Sequence, residues 1–393
     1  MSSSLPRLPF VSKNPLELPH EYTELQRKAP ISRVTTAAGD EAWLVTAYAE
    51  MRQLLADDRL GRSHPDPENA PRISGSVLLG GPQGDYETER ESHAKMRRLL
   101  TPAFSARRMT ALRPRVQQLV DELLDRLTET PPPADLHERF SVPLPILVIC
   151  ELLGVPYEDR DHFRKLSDGI GEMRDRERGA AALEQFIGYT GELLRRKKAE
   201  PAEDVYSDLA AADIPDREAA LLAAGLLFAG HETTVNRIDF GTLLLLTNPG
   251  QRELVAQDPS RVPALVEEIL RVAAPNQGNG VTRYAHDDIE IAGITIRKGE
   301  ALVLPPAVAN RDPSVYPDPD RFDITRESPA PHLAFGHGPH FCLGASLARV
   351  ELQTVFGTLF QRIPTLELAV PVEELKLRQD RMTGGLVRLP VTW

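Results

Sequence analysis

The sequence predicts a mainly α-helical protein with small β-sheets, and three observations support this fold class. From about residue 92 to residue 280, apolar residues recur every three or four positions, as on a helix with one buried face. Short strand-like runs lie on both sides of that region. No repeat or Gly/Ser linker divides the 393 residues. We therefore expect one domain over residues 1–393, β-rich at about 30–60 and 281–393, with a helical core at about 92–280 and 343–362.

Individual elements follow from the local period of the apolar residues. A period near 3.6 predicts helices at Tyr48 to Leu55, Met109 to Leu127, Leu144 to Leu153, Ala181 to Lys197, Arg217 to Leu246, Pro263 to Val272 and Leu343 to Arg362. Strands are predicted at Ala42 to Thr46 and Ala301 to Leu304, with a hairpin over Ile289 to Ile296 that turns at Gly293. A meander rich in Pro and Asp follows from Asn310 to Arg326.

Composition excludes several classes of protein. Lys and Arg number 46 against 57 Asp and Glu, a net charge of -11, which disfavours binding to nucleic acid phosphates. The two cysteines, Cys150 and Cys342, provide no disulfide framework, so a reducing compartment is expected. The N-terminal residues resemble neither a signal peptide nor a membrane anchor, which predicts a cytoplasmic protein that does not bind membranes.

The glycine-rich loop Phe335 to Gly344 carries Cys342 directly before the last predicted helix. Unpaired N–H groups and the positive dipole at such a helix start favour an anion, which predicts a lowered thiol pKa. Glycines at 336, 338 and 344 let the backbone approach a flat ligand and direct N–H groups at the sulfur. A thiolate presented in this way can bind iron. The alternative is a buried cysteine that acts only as a small hydrophobe.

Other familiar motifs do not fit the chain. The Gly336-x-Gly338 pair lacks the third glycine of a dinucleotide-binding loop. The Gly344 to Ala348 segment only faintly matches a nucleophile elbow and lies within the predicted last helix. A zinc motif that starts at His231 lacks its second histidine, because position 235 is Val.

The loop around Cys342 resembles the cysteine-ligand motif of the cytochrome P450 superfamily, the haem-thiolate monooxygenases. Three further segments are similar to motifs of that family: Ala229 to Thr234 to its oxygen-activation segment, Glu268 to Arg271 to its Glu-x-x-Arg motif, and Asp318 to Phe322 to its meander. The resemblance covers nearly the whole chain and is greatest to soluble bacterial members. It implies a single triangular helical domain with haem buried between the central and last long helices.

The resemblance also implies roles for individual residues. Cys342 is the axial ligand of the iron of haem b, iron protoporphyrin IX, and the haem-binding set is His93, Arg97, Ala229, Gly230, Arg283, Phe335, Gly336, His340, Cys342 and Gly344. Within this set His93, Arg97, Arg283 and His340 hold the haem propionates, although each alone is more typical of a surface charge or a satisfied core histidine. Gly230 leaves room for the flat macrocycle.

Glu232 and Thr233 place an acid and an alcohol side by side on the central helix. A Thr hydroxyl can bond back to a carbonyl and bend a helix, which predicts a local groove for dioxygen. The resemblance implies that Thr233 stabilises activated oxygen and that Glu232 helps to deliver protons for O–O cleavage. The alternative is a pair of ordinary threonines against a neighbouring helix.

Glu268 and Arg271 lie on one helix face, and the resemblance makes Arg321 their third partner in a structural network beneath the haem loop. The resemblance also places the loop from about Arg62 to Arg90 over the substrate pocket. Just after this loop, Glu89 to His93 departs from the Asp-Pro-Pro-Glu-His that many bacterial members carry. The geometry of the loop is therefore left open.

The expected activity is insertion of one atom of O2 into a mid-sized natural product, by hydroxylation or epoxidation, by a monomeric enzyme. No flavin or nicotinamide motif is present, so a ferredoxin and its reductase are the expected electron donors. A basic cluster of Lys95, Arg97, Arg98, Arg107 and Arg108 is suited to docking an acidic partner, or is simply solvated. Two other functions stay open: oxidative coupling of aromatic or cyclic dipeptide substrates, and a non-catalytic haem sensor.

Overall fold

The computed structural model describes residues 4–76, 80–170, 176–276, 280–327, 330–379 and 383–393. Residues 77–79 of the expected pocket-roof loop lie outside this set. The helices are α1 His20–Lys28, α2 Tyr48–Ala56, α3 Glu89–Leu100, α4 Ala106–Thr128, α5 Pro143–Leu153, α6 Arg160–Ile170, α7 Arg176–Ala199, α8 Val205–Ala211, α9 Asp216–Ala229, α10 Glu232–Thr247, α11 Pro249–Gln257, α12 Val262–Val272, α13 Pro306–Ala309 and α14 Ala345–Arg362.

Short strands form small sheets at the side of the helical core. They are β1 Ile31–Thr35, β2 Glu41–Val45, β3 Leu60–Gly61, β4 Ala134–Asp135, β5 Val281–Ala285, β6 Ile289–Ile291, β7 Ile294–Ile296, β8 Ala301–Leu304, β9 Glu367–Leu368 and β10 Pro390–Thr392. The largest sheet has the order β1-β2-β8-β5-β3, in which β2 and β8 are parallel and the other pairs are antiparallel. A second sheet has the order β4-β10-β9, and β6 and β7 form a hairpin.

The predicted hairpin is confirmed, and its turn explains the position of Gly293. Ala292 and Gly293 both have positive φ, 48° and 75°, which is the conformation of the tight turn that matches the twist of paired strands. Glycine takes up this conformation without the steric cost that Ala292 bears. The hairpin and strand β8 begin and end as the apolar alternation predicts.

The central helix is the main departure from the predicted elements. The sequence predicts one helix from Arg217 to Leu246, whereas the structure has α9 and α10, which are separated at Gly230 and His231. His231 has φ −96° and ψ −80°, outside the helical range. The apolar period continues across the break, so periodicity could not locate it. Helix α10 packs against α12 and α14 and is central to the core.

The boundaries of two other functional segments also differ. The predicted last helix begins at Leu343, but α14 begins at Ala345, so Gly344 separates Cys342 from the helix. The predicted loop from Arg62 to Arg90 ends earlier, because α3 begins at Glu89. None of the described helices has the length and apolar composition needed to span a membrane.

Candidate active site

The Cys342 loop is held in a compact form by its own backbone. The amide of Cys342 donates to the carbonyl of Phe335 at 2.8 Å, and that of Gly336 donates to Leu333 at 2.8 Å. Gly336 and Gly338 have φ near +70°, and a side chain on Gly338 would lie 2.6 Å from the carbonyl oxygen of Leu55. The glycines therefore fix the path of the loop and leave the side chain of Cys342 accessible.

The electrostatic setting of Cys342 corrects the prediction of a lowered thiol pKa. Although the side chain is accessible, it lies deep among protein atoms, and this burial raises the pKa of the thiol above its ordinary value. The amide of Gly344, which donates to the sulfur, and the charges of Arg97 and Arg349 oppose the shift only in part. Because the helix starts three residues after Cys342, its dipole acts less directly than the sequence predicts. A bound cation at the sulfur would favour the thiolate.

The break between α9 and α10 places Thr233 on an accessible face of the central helix. Its hydroxyl donates to the carbonyl of Ala229 at 3.0 Å, an oxygen that an unbroken helix would pair with the Thr233 amide. The predicted back-bond is therefore present. Ala229 and Thr233 are both exposed, and Leu221 and Gly225 continue the same exposed stripe along α9. The stripe is a mostly apolar surface that ends in one hydroxyl.

Glu232, the sequence neighbour of Thr233, is almost fully buried. The hydroxyl of Thr383, in the C-terminal loop, donates to its Oε2 atom at 2.6 Å. Acid and alcohol are adjacent in sequence but lie on different faces of α10. The sequence predicted their proximity and could not predict the partner of the acid.

Gly230 lies where helix α5 packs against the break between α9 and α10. A Cβ atom on this residue would lie 2.9 Å from Cδ1 of Ile149, in helix α5. The glycine thus permits close packing of α5 against the helix break. Its expected place beside a macrocycle stays a prediction.

A group of cationic and imidazole side chains gathers beside the Cys342 loop. The rings of His93 and His340 lie 4.1 Å apart between centroids. Burial, together with Arg283, lowers the pKa of His340 to about 3, and burial with Arg62 lowers that of Arg283 to about 10. Arg97 donates to the carbonyl of Phe341 at 2.9 Å. The structure therefore brings together the four residues that the resemblance predicted for the propionates.

Arg62 also belongs to this group, and the sequence analysis missed it. Strand β3 pairs antiparallel with β5, with Gly61 opposite Tyr284, so Arg62 follows in register beside Arg283. Burial lowers the pKa of Arg62, and the nearby Glu89 opposes that shift. In the described part of the chain no carboxylate forms an ion pair with Arg62 or Arg283. Like charges in adjacent register destabilise a sheet unless an anion lies between them. The sequence did not indicate Arg62, because a strand of two residues is too short for its pairing register to be predicted.

The buried ion pair of Glu268 and Arg271 is bidentate, with N···O distances of 2.7 and 2.8 Å. Arg271 also donates to the meander carbonyls of Pro319 and Arg321. The predicted third partner, the Arg321 side chain, is wrong: it is 64% exposed and pairs with Asp323. Arg326 approaches Glu268 instead, at 3.4 Å, and is only 10% exposed. The Arg321 side chain points toward solvent, and its backbone carbonyl accepts the hydrogen bond from Arg271.

The chain is similar to known proteins over its whole length. The Cytochrome P450 family model matches residues 197–391. Pentalenolactone synthase of Streptomyces exfoliatus is 44% identical, and the match covers all of both chains. The chain is a cytochrome P450. Mycinamicin IV hydroxylase/epoxidase of Micromonospora griseorubida is 40% identical over the whole of both chains. The X-ray structure of substrate-free cytochrome P450 PimD, a pimaricin epoxidase, has a TM-score of 0.91 at 41% identity, again over all of both chains.

These relatives confirm the predicted family and the mainly helical P450 fold. The protein is a P450 monooxygenase with a haem-iron cofactor, and it acts on a small molecule with O2. Its bacterial relatives are hydroxylases and epoxidases of natural-product biosynthesis, and the sensor alternative is therefore set aside.

Proposed function

We propose that this P450 hydroxylates or epoxidises a mid-sized, largely apolar natural product, with haem b as cofactor. The observation that carries the proposal is the accessible sulfur of Cys342 beside a group of half-buried arginine and histidine side chains. A thiol and several cations with few acids fit a ligand that has one metal and two carboxylates. Phe335, Gly336 and Gly344 form the loop around the sulfur, while Ala229 and Thr233 lie on the exposed stripe of the central helix.

Haem, when bound, would supply the activation of O2, and a thiolate ligand would donate electron density to that chemistry. Cys342 would hold the iron. His93, Arg97, Arg283, His340 and Arg62 would bind the propionates. Because Thr233 donates its hydroxyl proton to Ala229, its oxygen would accept a hydrogen bond at the oxygen site. Glu232 would transfer protons from the C-terminal loop.

The substrate class is inferred from the exposed stripe and from relatives. Leu221, Gly225 and Ala229 offer an apolar wall, which suits a substrate held chiefly by contact area. The relatives named above act on, or are named for, antibiotic natural products. Together they support a substrate of that class.

Electrons would come from a ferredoxin and its reductase. Helix α3 and the start of α4 adjoin the Cys342 loop, because Arg97 donates to Phe341 and Ser346 donates to Phe104 at 3.1 Å. Arg98 and Arg107 are exposed on this segment. Lys95 and Arg108, which were expected to join them, pair with Glu218 and Asp208. The docking face is therefore smaller than the predicted cluster.

The first test is the spectrum of the reduced, carbon-monoxide-bound protein. Wild type should show the red-shifted Soret band of a thiolate-bound haem, and Cys342→Ser should lose it. Cys150→Ala is the matched control and should keep the band, because Cys150 is buried and burial raises its pKa to about 12. A red-shifted band in haem-loaded Cys342→Ser would refute Cys342 as the iron ligand.

The second test identifies the reaction. Natural products that shift the haem from low to high spin are incubated with the enzyme and the reduced ferredoxin system. The masses of the products are then measured by mass spectrometry. A gain of one oxygen supports hydroxylation or epoxidation. A dimer, or loss of two hydrogens with a new bond, would replace this proposal with oxidative coupling.

A further inference from the structure

The turn from Thr383 to Gly385 packs against the start of α10 and contacts two residues of one helix face. The hydroxyl of Thr383 donates to Glu232 at 2.6 Å, and Nδ2 of Asn236 donates to the carbonyl of Thr383 at 3.0 Å. Glu232 and Asn236 are four positions apart, so they lie one above the other on the helix. The main chain and side chain of Thr383 are therefore both anchored to the central helix.

Glycines on the C-terminal side of Thr383 make this contact close. A Cβ atom on Gly385 would lie 2.1 Å from Oδ1 of Asn236, and one on Gly384 would lie 2.1 Å from the carbonyl oxygen of Pro275. Both glycines have positive φ, and the amide of Gly385 donates to Pro275 at 2.9 Å. The turn has little freedom to move, so the Thr383 hydroxyl is a fixed donor at the carboxylate of Glu232.

We propose that Thr383 is a positioning residue that holds the Glu232 carboxylate in the orientation needed for proton delivery. The proposal rests on the role assigned to Glu232 under the proposed function. A long carboxylate side chain has many rotamers, and a short hydrogen bond from a rigid turn selects one of them. Thr383 is assigned no contact with the reacting atoms and acts through its hydrogen bond to Glu232.

The position of Glu232 should affect how much of the electron supply forms product and how much forms H2O2. In the coupled reaction, one O2, two electrons and two protons convert R–H into R–OH and water. In the uncoupled reaction, the same O2, electrons and protons leave as H2O2. Correct placement of the proton donor favours the first outcome, so a displaced Glu232 should raise peroxide at the expense of product.

The experiment compares Thr383→Val and Thr383→Ser in the purified holoenzyme, with 7-ethoxycoumarin as probe substrate and a ferredoxin, its reductase and NADH as the electron source. Product and H2O2 are measured per NADH consumed. Thr383→Val should lower product per NADH about tenfold, and Thr383→Ser, which keeps the hydroxyl, should restore it to within about twofold. The control is Thr247→Val at the other end of the same helix, whose hydroxyl donates to the carbonyls of Leu243 and Leu244 and accepts from Nδ2 of Asn248. It should match wild type.

Glu232→Gln and the Glu232→Gln/Thr383→Val double variant separate the possible failures. If Thr383 acts through Glu232, the valine should add no further loss in the glutamine background. An equal loss in both backgrounds, or no loss in Thr383→Val, would overturn the present inference alone. If Glu232→Gln itself leaves coupling unchanged, the role of Glu232 under the proposed function fails first. Haem content and the carbon monoxide spectrum confirm that each variant is folded.

Discussion

Arg62 and Arg283 show how a single residue pair can indicate a ligand. Two guanidinium groups that follow each other across an antiparallel pair repel, and burial increases that repulsion. Glu89 lies near them, but its carboxylate is already committed to the amides of Arg62 and Ser63 and to the Ser63 hydroxyl. The remaining positive charge matches the two carboxylates of haem better than any protein group nearby.

We therefore predict that Arg62→Gln weakens haem retention. The loss of one charge-assisted hydrogen bond should raise the rate of haem transfer to apomyoglobin about tenfold. Arg59→Gln is the control, because Arg59 pairs with Asp57 at 2.7 Å and is 40% exposed. It should leave the transfer rate unchanged. Equal rates for Arg62→Gln and wild type would show that Arg62 does not reach the propionates.

At the residue scale, sequence could predict what lies close in the chain. Cys342 was found from its glycine-rich loop, and the Glu268–Arg271 pair from the family resemblance, because a spacing of three alone is equally expected of a solvated pair. Thr383 and Arg326 were not found, because their partners lie 151 and 58 residues away. The resemblance pointed to Arg321 and did not consider Arg326, an arginine of the same meander, because only the backbone path decides which side chain turns inward.

The break between α9 and α10 is the element on which the site depends. Its packing side is fixed by Gly230 against Ile149, and its exposed side by the Thr233 back-bond. The sequence predicted the bend from Thr233 but extended the helix through it, because apolar spacing persists on both sides. Element type was thus predictable, whereas the discontinuity depended on α5, a tertiary neighbour.

Gly230→Ala tests this account of the break. The added methyl group would meet Cδ1 of Ile149 at 2.9 Å, so we expect a loss of about 1–3 kcal/mol in the free energy of unfolding. Ile149→Val removes that carbon and should recover much of the loss in the double variant, although alone it costs about 1 kcal/mol. Urea unfolding followed by circular dichroism gives the free energies of unfolding of wild type, the two single variants and the double variant. Strictly additive losses would show that Gly230 and Ile149 do not interact, which would contradict this account of the break.

The meander offers a paired comparison of Arg326 and Arg321. Arg326 is nearly buried and donates to the carbonyls of Asp318 and Arg321 besides approaching Glu268. Arg326→Ala should therefore lower the free energy of unfolding by about 3 kcal/mol, because it leaves a buried carboxylate and two carbonyls with fewer donors. Arg321→Ala should stay within about 0.5 kcal/mol of wild type. The reverse order would restore Arg321 as the third partner.

At the scale of the whole molecule, charge is distributed unevenly. The chain carries a net charge of -11, yet exposed Arg98 and Arg107 lie on the segment that adjoins the Cys342 loop. A local positive patch attracts and orients an acidic partner, whereas the rest of the acidic surface repels it. Of the two cysteines in the sequence, Cys342 belongs to the loop that adjoins this patch.

Charge reversal at Arg98 and Arg107 should slow reduction by an acidic plant-type ferredoxin. We expect the Arg98→Glu/Arg107→Glu variant to be reduced about tenfold more slowly at low ionic strength. The Arg195→Glu/Arg196→Glu control changes the net charge equally on exposed positions of α7. It should reduce at nearly the wild-type rate. Because salt screens the attraction, stopped-flow rates of wild type and the first variant should converge as ionic strength rises. Equal slowing by both double variants would mean that net charge alone, and no defined docking face beside Cys342, governs the encounter.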